Sequence, residues 1–157
     1  MTEDADLHLV TFRVGRQLYG VDIMQVHRVL QACQPLPVPG APDHVMGMID
    51  LHGRLVAVMD LRLLLGLEAD PTDTPRRLLV AELGGGSGPS RLAALAVTDV
   101  EARLRVARAD LLARPDEIGA PAVVGAFHSG DELGLVLDPE RLDLGLDRIA
   151  QQVEGAG

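Results

Sequence analysis

Hydrophobic positions in the first third of the chain alternate with polar ones at the two-residue period of a half-buried β-strand. Residues 7–14 follow this alternation, and a turn at Gly15 leads into a second predicted strand over 18–23. Apolar residues continue through 26–30 after a bend. Four prolines between positions 35 and 42 then predict an extended, turn-rich path, because proline fixes φ and has no N–H to donate.

The next block of the chain predicts a β-hairpin followed by a short helix. Strands are expected over 45–51 and 55–59, with His52-Gly53 as the turn between them. Asp60 stands directly before an apolar helical stretch over 61–65, so we expect its side chain to cap that helix.

This hairpin recurs in the second half of the chain without a gap. Residues 45–48 fall on 123–126, and 55–60 fall on 133–138. Self-similarity at a fixed offset is the signature of a duplicated structural unit. We therefore expect two copies of one small β unit, with the function at the boundary between them.

The rest of the second half follows the same plan. Strands are predicted over 78–83 and 92–97, and at an offset of 74, against 78 for the hairpin, Val26 falls on Val100. Asp138 is expected to cap a C-terminal helix reaching about Val153, with proline at its first position. Short strands separated by Gly and Pro turns indicate small β-barrels with short helices, a mainly β fold.

The repeat and a polar, proline-containing stretch also suggest the domain organisation. The two halves are expected to span about 7–67 and 77–146, joined by a linker over 68–76. Residues 1–6 form an acidic N-terminal tail, and 147–157 the helix end and C-terminal tail.

Composition narrows the function classes. The chain has 157 residues, a formal net charge of −9 and only three aromatic residues. This charge argues against nucleic acid and anionic membrane surfaces as partners, since both require clustered Lys and Arg. A single cysteine, Cys33, allows no intramolecular disulfide, and we expect neither a signal peptide nor a membrane span.

Each candidate catalytic or ligand-binding motif is better explained structurally. The five histidines show no metal-ligand spacing, and the glycine-rich stretch 84–90 lacks the lysine and following helix of a phosphate loop. Asp60 and Asp138 are expected to cap helices rather than share a proton. We therefore predict no metal, no cofactor and no enzymatic activity.

Four stretches of the chain resemble the CheW-like family, the coupling proteins of bacterial chemotaxis-type signalling. The resemblance covers residues 7–146 and implies a pair of interlocked five-stranded β-barrels without catalytic activity. The stretches are Leu18-Tyr19-Gly20-Val21-Asp22-Ile23 with Val26; Val38-Pro39-Gly40-Ala41-Pro42 leading to Val45-Met46-Gly47; Leu51 to Leu61; and Val97 to Val100 with Leu137-Asp138.

This resemblance implies a cytoplasmic adapter that is recruited to receptor arrays and joins the cytoplasmic tip of a chemoreceptor to the regulatory domain of a histidine kinase. The family usually has Arg where this chain has His52, and Glu where it has Arg28. Because a reversed charge is an effective repulsive element, a receptor-only adapter that no longer binds kinase is the alternative.

The resemblance also assigns two sets of partner-binding residues. A receptor-binding groove between the barrels is expected to use apolar seats with a polar rim: Val26, His52, Arg54 and Leu55. A kinase-binding face is expected to use the adjacent segment: His27, Arg28 and Val29.

Two further expectations remain open at this point. A small-molecule-binding β-barrel would show a sizeable apolar cavity between the halves, whereas a packed boundary would count against it. His52 also allows partner affinity to change between about pH 6 and 8, since imidazole titrates near neutrality.

Overall fold

The structure is a computed structural model, and it describes residues 6–68, 72–84, 91–114, 116 and 119–142. Three expectations lie outside these ranges: the N-terminal tail before residue 6, the loop over 85–90, and the C-terminal helix and tail beyond residue 142.

Eleven strands and one short α-helix form in the described part of the chain. Their bounds are β1 Leu7–Val14, β2 Gln17–Asp22, β3 Val26–Gln31, β4 Val45–Leu51, β5 Arg54–Asp60, α1 Leu61–Leu64, β6 Arg77–Leu83, β7 Arg91–Val97, β8 Asp99–Val106, β9 Leu112–Ala113, β10 Val123–Ser129 and β11 Glu132–Leu137. The predicted strands and the first hairpin are confirmed with boundaries shifted by a residue or less.

The order of strands in the two sheets displays the internal repeat. One sheet has the order β8-β1-β2-β11-β10-β9, and the other has the order β3-β6-β7-β5-β4. By the repeat, β1, β2 and β3 correspond to β6, β7 and β8, and the β4–β5 hairpin corresponds to β10–β11. If each strand in the order β8-β1-β2-β11-β10 is replaced by its counterpart, the result is β3-β6-β7-β5-β4, which is the strand order of the other sheet. The two sheets are therefore copies of one unit.

The halves are interlocked because each contributes strands to both sheets. The first half supplies β1 and β2 to one sheet and β3, β4 and β5 to the other, and the second half does the reverse. Parallel pairs join the halves within each sheet, β2 with β11 and β5 with β7. The predicted pair of interlocked five-stranded units is confirmed, with the two-residue strand β9 added to one of them.

In the described part of the chain, alternate residues of the central strands pack into three separate hydrophobic cores. One core lies inside each sheet unit: Leu51, Val56, Val58, Leu78, Val80, Leu92, Ala94 and Ala96 in one, and Leu9, Leu18, Val106 and Phe127 in the other. The third and largest core fills the seam between the units and takes the opposite faces of β1, β2, β5, β6, β7 and β11. Burial on both faces explains why these strands are nearly continuous apolar runs.

The β4–β5 and β10–β11 hairpins each contain a β-bulge at the equivalent position. The β4–β5 register shifts between Val45 and Gly47, and the β10–β11 register shifts between Val123 and Gly125. A Cβ atom on Gly47 would stand 2.4 Å from the backbone oxygen of Leu36. Gly47 also has a φ of 147°, a conformation that favours glycine. Glycine is therefore required where the preceding chain crosses this bulge.

Both predicted capping aspartates serve that role. Asp60 Oδ1 accepts from the backbone N–H of Arg62 at 3.0 Å, and Asp138 Oδ1 accepts from that of Glu140 at 3.1 Å. The element that follows Asp138 is a 3₁₀ turn over Pro139–Arg141 in the described part of the chain. The proposed extension of a helix to about Val153 lies outside the described residues.

Three strands were not predicted: β3, over which only a continuing run of apolar residues was expected, β8 and β9. No strand was assigned to β8 from the sequence, although Val100, Ala102, Leu104 and Val106 alternate with polar residues along it. β9 has only two residues, both exposed, so it carries no detectable hydrophobic period.

Candidate functional site

An open groove of about 430 Å³ lies between the two sheet units. One wall is the start of β3 and the other is β8, and these strands end their respective sheets. We call this the interbarrel groove, and its lining residues are Val10, Ile23, Val26, His27, Arg28, Val29, Val100, Glu101, Ala102 and Arg103.

The two walls of the interbarrel groove are the same positions of the repeat. In the alignment that places Val26 on Val100, positions 26–29 on one wall correspond to 100–103 on the other. Each strand ends its sheet, so the duplication itself leaves these two strands facing each other across an open space. The groove is thus a product of the duplicated architecture.

Apolar side chains form the floor of the groove. Val26 and Val100 are partly buried and pack against the core of the seam, and Val29 is 39% exposed. Val26 and Val29 stand opposite Ala81 and Leu79 of β6, whose side chains belong to the seam core. The floor therefore continues the packed seam outward to solvent.

The carboxylate in the groove is already paired. Glu101 Oε2 lies 3.2 Å from Nε of Arg13, and the same guanidinium donates two hydrogen bonds to Glu132, one of them at 2.7 Å. The hydrogen bond to Arg13 lowers the pKa of Glu132, and the bonds to Glu132 and then Glu101 raise the pKa of Arg13. This cluster ties β1 to β8 and to β11, and it keeps a net charge of −1.

Arg28 of the groove contacts the turn of the first hairpin. Its Nη1 lies 3.0 Å from Nε2 of His52. Because a guanidinium can only donate, a hydrogen bond here requires Nε2 of His52 to be the accepting ring nitrogen. β3 and β4 end the sheet at opposite sides, so this contact also shows that the sheet curls round to bring its ends together.

His52 occupies a costly backbone conformation. Its φ is 52°, and Gly53 follows with a φ of 87°, as in the two-residue hairpin turns that favour glycine or asparagine. Asp50 Oδ1 accepts from the N–H of Gly53 at 2.8 Å and fixes this turn. Non-glycine residues at such a φ concentrate at functional sites, and here the strain presents the imidazole to Arg28.

Leu55 and Arg54 lie away from the groove. Leu55 is on the face of β5 that carries Ala57 and Met59 into the seam, but it lies beyond the end of that core and is 61% exposed. Arg54 is also exposed, and neither residue is among the described residues that line the interbarrel groove. The structure therefore brings Val26 together with His27, Arg28 and Val29.

The expected receptor set and the expected kinase set are thus not spatially separate. Arg28, expected on the kinase face, touches His52, expected in the receptor groove. The second wall, Val100 to Arg103, was not identified from the sequence. The internal repeat could have identified this wall, because the alignment that places Val26 on Val100 also places residues 27–29 on residues 101–103.

Neither a metal cluster nor a chamber in the seam is seen within the described ranges. No group of three or more His, Cys, Asp or Glu side chains there is placed to hold a metal ion. The seam between the units is occupied by packed side chains, which counts against a ligand chamber at that position. No described helix has the length and hydrophobicity needed to cross a bilayer.

Fold and groove define a class: a duplicated β protein with a binding groove between its two units. The family model of the CheW-like domain matches residues 8–144 of the sequence, and the chain belongs to that family.

Individual relatives agree with this assignment. The chemotaxis protein CheW of Treponema pallidum (strain Nichols) is 27% identical over 154 residues, covering 88% of this chain and 83% of that protein. The chemotaxis protein CheW of Rhizobium meliloti (strain 1021) is 32% identical over 108 residues, covering 69% and 66%. The crystal structure of the scaffolding protein TtCheW from Thermoanaerobacter tengcongensis superposes with a TM-score of 0.72 at 24% identity, covering 85% of each chain, which supports the fold.

Proposed function

We propose that this protein is a non-catalytic adapter that couples a chemoreceptor to a histidine kinase in a chemotaxis-like signalling array. The interbarrel groove receives the helical tip of the receptor, and a face of one barrel docks the regulatory domain of the kinase. Such an adapter works in the cytoplasm and is recruited to receptor arrays.

The observation that carries this proposal is the composition of the groove in a member of the CheW-like family. An apolar floor of Val26, Val29 and Val100 with charged residues at its edges is what helix-in-groove recognition requires. The groove is open at the surface, so a helix can enter it without rearrangement of the cores.

Coupling in this proposal is structural rather than chemical. The adapter holds receptor and kinase at a fixed geometry, so that a shift of one biases the other. Single contacts of this size are modest in affinity, and many such contacts within an array supply persistence.

Binding assays with the two partner classes test the proposal. We expect a purified receptor signalling-tip fragment and a purified kinase regulatory domain each to bind in the micromolar range. Failure of both to bind, measured by calorimetry at protein concentrations of about 100 µM, would contradict the adapter function.

A receptor-only adapter remains the second candidate, because Arg28 and His52 differ from the usual residues of the family. Under this alternative the receptor fragment binds and the kinase domain does not. We expect Arg28→Glu to strengthen kinase binding by about tenfold if the reversed charge is the cause, since a repulsive element is removed. A pull-down that detects no difference between the two forms would reject that mechanism.

The contact between Arg28 and His52 adds a pH dependence to receptor binding. Protonation of His52 removes the lone pair that accepts from Arg28 and places two cations side by side at the groove edge. Arg54 adds positive charge next to the turn, and the carboxylate of Asp50 is engaged by Gly53.

We expect affinity for a receptor-tip fragment to change several-fold between about pH 8 and pH 6. In His52→Gln this change should be clearly smaller, because glutamine accepts a hydrogen bond at either pH and His27 is then the histidine left in the groove lining. A titration that is flat in the unmodified protein, or equally steep in His52→Gln, would refute the role of this histidine.

A further inference from the structure

Two arginines line the interbarrel groove and lack a carboxylate partner in the described structure, as Arg16, Arg54 and Arg108 do elsewhere on the surface. Arg13, Arg62, Arg76, Arg77, Arg105 and Arg141 each form an ion pair with Asp or Glu in the described structure. Arg28 and Arg103 form none there, although the sequence has 23 acidic residues against 14 basic ones. Both are exposed, and both line the groove.

The two arginines lie on opposite walls. Arg28 is in β3 opposite Val80, on the face of that strand turned away from the apolar floor. Its guanidinium lies at the groove edge, where Nη1 is 3.0 Å from Nε2 of His52. Arg103 is in β8 directly opposite Val10 of β1, whose side chain belongs to the seam core. Cross-strand neighbours share a face of the sheet, so Arg103 is on the groove side of its strand.

Charge in the groove is positive in a strongly negative protein. The described side chains that line it include two guanidiniums without a carboxylate partner and one carboxylate, Glu101, which is bound to Arg13. The cluster of Arg13, Glu101 and Glu132 contributes −1, so with neutral histidines the groove retains about +1 against −9 for the whole chain.

We infer that the segment received by the groove is acidic: an amphipathic helix whose apolar face lies on Val26, Val29 and Val100 and whose flanking carboxylates pair with Arg28 and Arg103. Arginine presents several donors in a fixed plane and suits carboxylates in particular. A segment with basic flanks would meet these two arginines and be rejected, which makes the pair a specificity determinant.

This inference rests on the proposed function, because it names the chemistry of the segment that the same groove would bind. It extends the proposed function by fixing the sign of the partner's charge. It also predicts that affinity falls with added salt, since rim charges near a surface are screened within about 10 Å at 0.1 M ionic strength.

Three synthetic helical peptides test the inference. They share one apolar face of leucine and valine and carry glutamate, glutamine or lysine at the flanking positions. Fluorescence anisotropy is expected to give the tightest binding for the glutamate peptide, about tenfold weaker binding for glutamine, and weaker still for lysine.

Charge reversal on the protein is the matched experiment. In the double variant Arg28→Glu/Arg103→Glu, we expect the lysine peptide to bind more tightly than the glutamate peptide. The control is Arg108→Glu, which makes the same change at an exposed arginine outside the groove and should leave the order intact. Circular dichroism verifies that each variant is folded.

The outcomes separate the inference from the function on which it rests. Equal binding of the three peptides, all abolished by Val26→Asp, would overturn the acidic preference and leave the groove as the binding site. Binding that Val26→Asp does not change would overturn both. No detectable binding of the glutamate peptide at about 1 mM would also contradict the inference, since a seated helix with two charge pairs exceeds that affinity.

Discussion

Replacing Phe127 with alanine is expected to lower the free energy of unfolding by about 3–5 kcal/mol. Phe127 is fully buried and is the largest side chain in the core of its sheet unit. A domain of this size has only about 5–15 kcal/mol of stability in total. The loss of one ring would therefore remove a large fraction of it.

The reason is that the surrounding backbone is built around the ring. Cβ atoms added to Gly20 and Gly134 would stand 3.0 Å and 2.3 Å from atoms of Phe127. By the repeat, the corresponding residues of the other unit are Ile49, Ala94 and Val56, which pack in its core. One unit thus fills its interior with a large side chain and two glycines, and the other with three side chains of intermediate size.

Urea denaturation followed by far-ultraviolet circular dichroism measures this effect. The exposed Leu133→Ala is the control and should change stability by less than about 0.5 kcal/mol. Gly134→Val should be strongly destabilising by itself, but much less so when combined with Phe127→Ile, because the pair recreates the packing of the other unit. Additive effects, or a loss below about 1 kcal/mol for Phe127→Ala, would contradict this explanation.

Substituting Val26 with aspartate is expected to weaken binding of a receptor signalling-tip fragment by about 30- to 1,000-fold, a loss of about 2–4 kcal/mol. Val26 belongs to the apolar floor, so a carboxylate there must be desolvated when a helix covers it. The effect should be seen mainly as faster dissociation. Surface plasmon resonance with an immobilised receptor fragment resolves this.

Two further variants distinguish a loss of binding from a loss of folding. Val26 also packs against the seam core, so the milder Val26→Ala is measured beside it and should weaken binding by about tenfold while the protein stays folded. Leu133→Asp makes a similar change at an exposed leucine that does not line the groove. Equal losses for Val26→Asp and Leu133→Asp would place the receptor site elsewhere.

Much of this fold could be predicted from the sequence, because local patterns determine the strands. The first hairpin, its His52-Gly53 turn and the two capping aspartates depend on neighbouring residues, and the structure confirms them. The duplication was likewise readable, since a fixed offset requires no knowledge of contacts.

The exchange of strands between the units could not be derived in this way. Which sheet β3 and β8 join depends on long-range pairing, and nothing in the local sequence of either strand specifies its neighbour. The resemblance to the CheW-like family supplied the interlocked arrangement. β8 went unassigned because charged residues separate its apolar positions, namely Glu101, Arg103 and Arg105.

The site was predicted only in part for a related reason. Val26 and its three neighbours lie in the groove, but the opposite wall belongs to the other half of the chain and was not identified. The contact between Arg28 and His52 joins two residues that were treated as separate departures from the family pattern. Contacts of this kind depend on how the sheet curls, which single-residue reasoning does not address.

The central claim is that a partner helix binds between the two equivalent strands β3 and β8. Methyl-labelled nuclear magnetic resonance spectra, recorded as a receptor signalling-tip fragment is added, test this directly. We predict that the methyl signals of Val26, Val29 and Val100 shift together and saturate with one affinity, while that of Leu133 stays in place. Shifts confined to Leu133 or Leu112, with Val26 and Val100 unchanged, would contradict the claim.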